Sequence, residues 1–205
     1  ANRGQAYARS VAMATAKAEF VVSLDDDSYF LDEDALERVV QRFRRQPTCG
    51  ILAFRIFTPR EEIEPAEDRL FSVSDHITCG AAYRRSLLET VGYHLPFLQG
   101  MSEEADISIK AVDAGYDILL DYAVRVYHEY DPRTRSSESL ARVRRLGVRN
   151  DLLQTWVYFP LDKAVTVTCW RVFSHLRWSI PRRMLLPIWA GYSGSLKLLP
   201  LALAY

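Results

Sequence analysis

Residues 20–28 read Phe20-Val21-Val22-Ser23-Leu24-Asp25-Asp26-Asp27-Ser28: a short apolar run that passes straight into three carboxylates. Five residues is a strand's length, and the apolar density predicts a buried strand. The acids then fall beyond its carboxyl end, where open α/β sheets bind ligands. In extended backbone, positions i and i+2 point the same way, so Asp25 and Asp27 are expected to converge.

The flanking sequence repeats the alternation. Residues 5–17 are alanine-rich and predict a helix. Leu36, Val39, Val40 and Phe43 recur at helical spacing behind a cap at Asp32 or Asp34. Ile51–Phe57, Ile77–Tyr83 and Ile118–Tyr127 predict strands, and residues 85–90 and 102–114 predict helices, the latter closed by Gly115. Residues 59–69 and 92–101 predict loops. Interleaved helices and strands indicate an α/β domain, Rossmann-like, with a mostly parallel sheet. A parallel sheet of this kind opens with strands that bind a nucleotide, so a further amino-terminal part is expected ahead of Ala1.

Charge divides the chain. Lysine plus arginine balance aspartate plus glutamate at 26 each over 205 residues. Residues 132–205 hold 12 of the bases and 3 of the acids, so the body is acidic and the tail basic. With no net charge, a general pull on nucleic acid is not indicated. Three scattered cysteines without a CxxC pair favour neither a disulfide framework nor a thiolate zinc site. No uninterrupted apolar run reaches 18 residues, so no spanning helix is predicted. We read two regions: 1–131 as an α/β body and 132–205 as a helical, basic and aromatic tail.

Three features carry chemistry. The triplet Asp25, Asp26 and Asp27 offers oxygen ligands that suit Mg²⁺ or Mn²⁺. An acidic turn that starts the next helix is the plainer alternative, since short motifs often occur by chance. Glu103, Glu104 and Asp106 crowd a helix start. Acids there complement the helix dipole, but three exceed that need, and mutual repulsion suits one of them to act as a base. His128 ends the last predicted strand, either as a rim histidine or as a third metal ligand.

In order, Asn2-Arg3-Gly4, Leu24-Asp25-Asp26-Asp27-Ser28, Cys79-Gly80-Ala81, Arg84-Arg85, Val91-Gly92-Tyr93, Glu103-Glu104-Ala105-Asp106, Gly115-Tyr116 and Val126-Tyr127-His128 resemble the family 2 glycosyltransferases of GT-A fold. Among these the chain resembles the bacterial members that build polysaccharides and glycolipids. The resemblance spans residues 1 to about 130, plus Arg149-Asn150.

It implies inverting transfer from a nucleotide-diphosphate sugar to a hydroxyl of a glycan or lipid-linked acceptor, with Mn²⁺ or Mg²⁺. Asp25 would lie by the ribose and Asp27 would hold the metal. Glu104 would be the general base, with Glu103 and Asp106 as flanking alternatives. Many members carry Asp where Glu104 stands and Arg where Lys110 stands. The family's nucleoside-binding strands precede Asn2, so weak or no turnover is expected of residues 1–205 alone.

The tail fits the same picture. Arginines beside Trp156, Trp170, Trp178 and Trp189 suit a helix lying on an anionic membrane surface. A cytoplasmic protein, peripheral on the inner face of the cell membrane, is expected. A helical subdomain that packs its aromatics inward is the competing reading. Two other functions remain open: a nucleotidyltransferase of related fold, or a non-catalytic membrane-bound module.

Overall fold

The structure, a computed structural model, describes residues 3–131, 133 and 136–205. Asn2 of the first motif lies outside the described residues, as does Pro132 at the expected regional boundary. The chain forms two compact units. One comprises residues 9–94 and 104–134; the other comprises 1–8, 95–103 and 135–205. Residues 1–8 and 95–103 thus belong with the carboxyl-terminal helices, not with the sheet.

The sheet unit runs β1 (Phe20–Leu24), β2 (Ser28–Phe30), α2 (Ala35–Arg45), β3 (Cys49–Phe57), β4 (Leu70–Ser72), β5 (Gly80–Arg84), α3 (Arg85–Val91), α4 (Glu104–Asp113) and β6 (Asp117–His128). Before them, α1 spans Gln5–Thr15. Strand order is β1-β5-β3-β6-β2, with β4 also on β6.

β3 is largely buried because both of its faces are covered. Its side chains alternate: Ile51 packs with Tyr83, Leu87, Ile107 and Ile118 on one face. Leu52 and Phe54 pack with Val39, Phe43, Val124 and Val126 on the other. Burying such side chains contributes about 1.5–3 kcal/mol each.

The expectation of a mostly parallel sheet is corrected. Among the described residues only β3 and β6 pair in parallel; β1–β5, β3–β5, β2–β6 and β4–β6 are antiparallel. Alternating helices and strands do not report direction once a strand such as β5 inserts between two others. The predicted strand at Ile77 starts at Gly80 instead, and Ile77 is exposed. Leu36, placed by the sequence on the apolar face of α2, is exposed as well; the buried line is Ala35, Val39 and Phe43. Neither expected capping acid caps α2 through its side chain. Asp34 pairs with Arg38 at 2.9 Å, and Asp32 takes a two-pronged ion pair from Arg125 at 2.6 and 2.9 Å. The Arg125 contact holds the Asp32 carboxyl below its ordinary pKa. α4 ends where Gly115 takes a φ of +81°, which a side chain disfavours.

The helical unit contains α5 (Ser137–Tyr158), α6 (Leu161–Ser179) and α7 (Leu185–Ala202). Ser136 caps α5 by accepting the Ser139 N–H at 3.1 Å. α7 lies close on α5 because Gly191 has no side chain: a Cβ there would stand 2.8 Å from the Arg145 carbonyl oxygen. Among the described residues, no helix is long and apolar enough to cross a membrane.

Candidate active site

β1 does not run on through the acids. After Leu24 the chain turns, the Ser28 N–H donating to the Asp25 carbonyl at 3.0 Å, and returns as β2. This corrects the argument from extended i, i+2 geometry: a turn, not a pleat, sets Asp25 and Asp27. β2 pairs with the end of β6 in the register Ser28 to His128. The Glu129 N–H then donates to the Asp27 carbonyl at 2.9 Å. Backbone pairing thereby carries His128 to the triplet across a hundred residues of sequence.

The side chains meet there. His128 Nε2 lies 3.2 Å from Asp27 Oδ1 and 4.0 Å from Asp25 Oδ2. Its Nδ1 faces the Cys79 sulfur at 3.5 Å. Cys79 arrives because β5 starts beside the end of β1, Gly80 opposite Leu24. Ligand atoms of Asp25, Cys79 and His128 all lie within 4.8 Å of one another. Asp25 also holds an ion pair with Arg9 of α1, which supplies positive charge to the cluster. Asp26 sits exposed at the tip of the turn.

Two carboxylates and an imidazole form a donor set suited to Mn²⁺ or to Mg²⁺. Cys79 fits less well. Burial, and next the charge of Asp25, push its thiol up to about 12, so it stays protonated; its sulfur, 3.5 Å away, can accept weakly from Nδ1–H. That leaves Nε2 facing the carboxylates.

The second acidic cluster is divided. Asp106 is fully buried in α4, with Lys110 Nζ 3.1 Å from its carboxylate and His94 Nδ1 at 4.0 Å. Lys110 donates further to the Tyr93 carbonyl at 2.8 Å. This pairing gives Asp106 a structural task, anchoring α4 to the chain before residue 95. Glu104 is the first residue of α4, and Glu103 is buried in the helical unit.

Two further polar groups escaped the sequence reading. His76 is buried: its Nδ1 lies 2.9 Å from Ser108 Oγ and its Nε2 lies 2.6 Å from the Tyr83 hydroxyl. Ser108 donates its one proton to Asp75 at 2.7 Å. The Ser108 oxygen therefore accepts from Nδ1–H, and Tyr83 O–H donates to Nε2. In the helical unit, Gly100, Met101 and Ser102 all adopt positive φ, at 71°, 63° and 59°. Asn150 donates to the Gly100 and Met101 carbonyls at 2.9 and 2.8 Å, and Gln154 donates to that of Ser102 at 2.6 Å. The Arg149-Asn150 pair was legible as a motif, but its task of gripping a loop was not.

Residues 1–92 match the family model described as Glycosyl transferase family 2. The fold agrees: the chain superposes on GalNAc-T7, solved with UDP, GalNAc and Mn²⁺, with a TM-score of 0.55 at 17% identity over 75% of this chain. It matches the mannosyltransferase PcManGT from Pyrobaculum calidifontis, in complex with GDP-Man and Mn²⁺, with a TM-score of 0.55 at 15% identity over 95% of this chain. These matches cover 37% and 67% of the two solved chains. The chain thus spans little more than a third of GalNAc-T7. No curated protein matches it. The architecture is a partial GT-A fold with a helical carboxyl-terminal region. The family 2 segment contains Asp25, Asp27 and Cys79, whereas Glu104 and His128 lie beyond the matched residues.

Proposed function

We propose that this chain carries the active site of a metal-dependent, inverting glycosyltransferase. It would move a sugar from a nucleotide diphosphate to a hydroxyl of a glycan or glycolipid at the cytoplasmic face of a membrane. The observation that carries the reading is the gathering of Asp25, Asp27 and His128 by the β2–β6 register, in a chain whose first 92 residues match family 2.

Asp25, Asp27 and His128 would hold the divalent ion. When bound, it supplies positive charge against the diphosphate oxygens and so stabilises the leaving group. The carboxylates of the turn orient the donor, and the ion pair of Arg9 with Asp25 limits repulsion between them. Glu104 is our choice for the base. It takes the acceptor proton as that oxygen bonds to the anomeric carbon and the bond to the diphosphate oxygen breaks. General-base assistance of this kind is worth roughly 10²–10⁴-fold. Holding acceptor and anomeric carbon in line contributes further. The loops at 58–76 and 92–101 would select donor and acceptor.

The test combines binding with turnover. Mn²⁺ binding is followed by electron paramagnetic resonance, and hydrolysis or transfer is screened with UDP- and GDP-sugars. Asp27→Asn and His128→Ala are expected to lower Mn²⁺ affinity at least tenfold, in line with the loss of a ligand. In the full-length protein, Glu104→Gln is expected to bind Mn²⁺ normally and to lose transfer by at least a hundredfold. Unchanged Mn²⁺ binding in both ligand variants would remove the metal assignment. Near-normal transfer by Glu104→Gln would remove the base.

A further inference from the structure

Helices α6 and α7 each bury one side within their own unit and leave an apolar stripe on the other. On α7 the inner line is Ile188, Gly191, Ser195 and Ala202. The outer line is Leu186, Trp189, Leu196 and Leu203, spaced three, seven and seven residues apart along one face. On α6 and just past its end, Val165, Phe173, Leu176 and Ile180 recur on one face in the same way, with Trp170 beside them. The exposure is large: 82% for Leu186, 74% for Trp189 and 67% for Trp170. Soluble surfaces rarely leave so many large apolar groups together without a partner.

The charge around these stripes names the partner. From Lys163 to Tyr205 there are six basic side chains and no acidic one, where the chain's average would give about five acids. Arg177, Arg182, Arg183 and Lys197 are exposed. Arg182 lies 4.7 Å over the ring of Trp178. A second copy of this chain would bring like charge against like. An anionic lipid surface complements it, and exposed tryptophans suit the boundary between headgroups and acyl chains. Neither helix is long and apolar enough to span.

We infer that α6 and α7 seat the protein on an anionic bilayer, lying in the interface with Trp170, Leu186 and Trp189 inserted and the arginines on the headgroups. Vesicle binding is independent of sugar chemistry, so this inference and the transferase reading can fail separately.

The experiment uses the whole chain with phosphatidylcholine vesicles, with and without phosphatidylglycerol, read by flotation and tryptophan emission. The chain is expected to float with the anionic vesicles, with a blue shift in emission. Arg182→Gln with Arg183→Gln is expected to lower partitioning by about tenfold or more, each basic residue contributing about fivefold. Leu186→Gln with Trp189→Gln is expected to lower it by more than tenfold, with an unchanged thermal melt because both positions are exposed. Failure of the wild type to float with anionic vesicles would overturn the inference. So would flotation of the Leu186→Gln/Trp189→Gln variant equal to wild type. A concentration-dependent dimer that this variant disperses, without vesicle binding, would assign the stripes to a second copy and overturn it too.

Discussion

His76 ties stability to pH through one buried side chain. Burial pushes its pKa down from 6.5 to about 3. Both ring nitrogens are engaged by hydroxyls in the neutral form. In the unfolded chain the imidazole takes up a proton below pH 6.5; in the folded chain it does so only near pH 3. Between those values the unfolded state binds more protons, so stability falls as pH falls. The stability that His76 contributes is complete above pH 6.5 and is lost progressively toward pH 3. The slope is about 1.4 kcal/mol per pH unit, so acidification from pH 7.5 to 5 costs roughly 2 kcal/mol. At about 2–4 °C per kcal/mol for a chain of this size, that is a Tm loss of about 4–8 °C.

Other groups also change charge on acidification, so the assay is a comparison. Thermal melts of wild type and His76→Gln are recorded at pH 7.5, 6.5, 5.5 and 5. The variant is expected to start less stable and to lose about 4–8 °C less on acidification. In NMR, the wild-type His76 ring signal is expected to stay unshifted down to about pH 4. Parallel melting curves, or a ring that titrates near pH 6, would refute the argument.

Other substitutions probe the scaffold. Gly191→Ala drives a Cβ against the Arg145 carbonyl and Val148, at 2.8 and 2.9 Å, and is expected to cost about 1–3 kcal/mol in urea melts. Asp121→Ala removes the buried partner of Arg42, held at 2.6 and 3.1 Å, and is expected to cost about 3–5 kcal/mol by the same measurement. Asp68→Ala removes an exposed partner of the same arginine and is expected to cost under about 1 kcal/mol.

What could be read from the sequence follows from what is local. β1 was legible because Phe20–Leu24 is apolar at four of five positions and lies between polar flanks. α2, β3 and β6 were legible because their apolar spacing persists over many residues. β2 and β4 were not, since three residues give no period to count. Strand direction was not legible, because antiparallel β5 and its neighbours have the same composition as a parallel set. At the site, the acids and His128 could be picked out as residue types at strand ends. That they meet depends on the Ser28–His128 register, which no local pattern encodes. Arg9 lay hidden in an alanine-rich helix, where nothing marked it as the partner of Asp25.

The three consecutive left-handed residues at 100–102 have a consequence for anyone who would transplant them. Met101 and Ser102 each forgo about 1–2 kcal/mol by leaving the ordinary backbone basins. The amides of Asn150 and Gln154 offset that strain from fifty residues away. The segment's shape is therefore on loan from α5. Grafted onto another protein without that helix, the same residues would relax into a different curve.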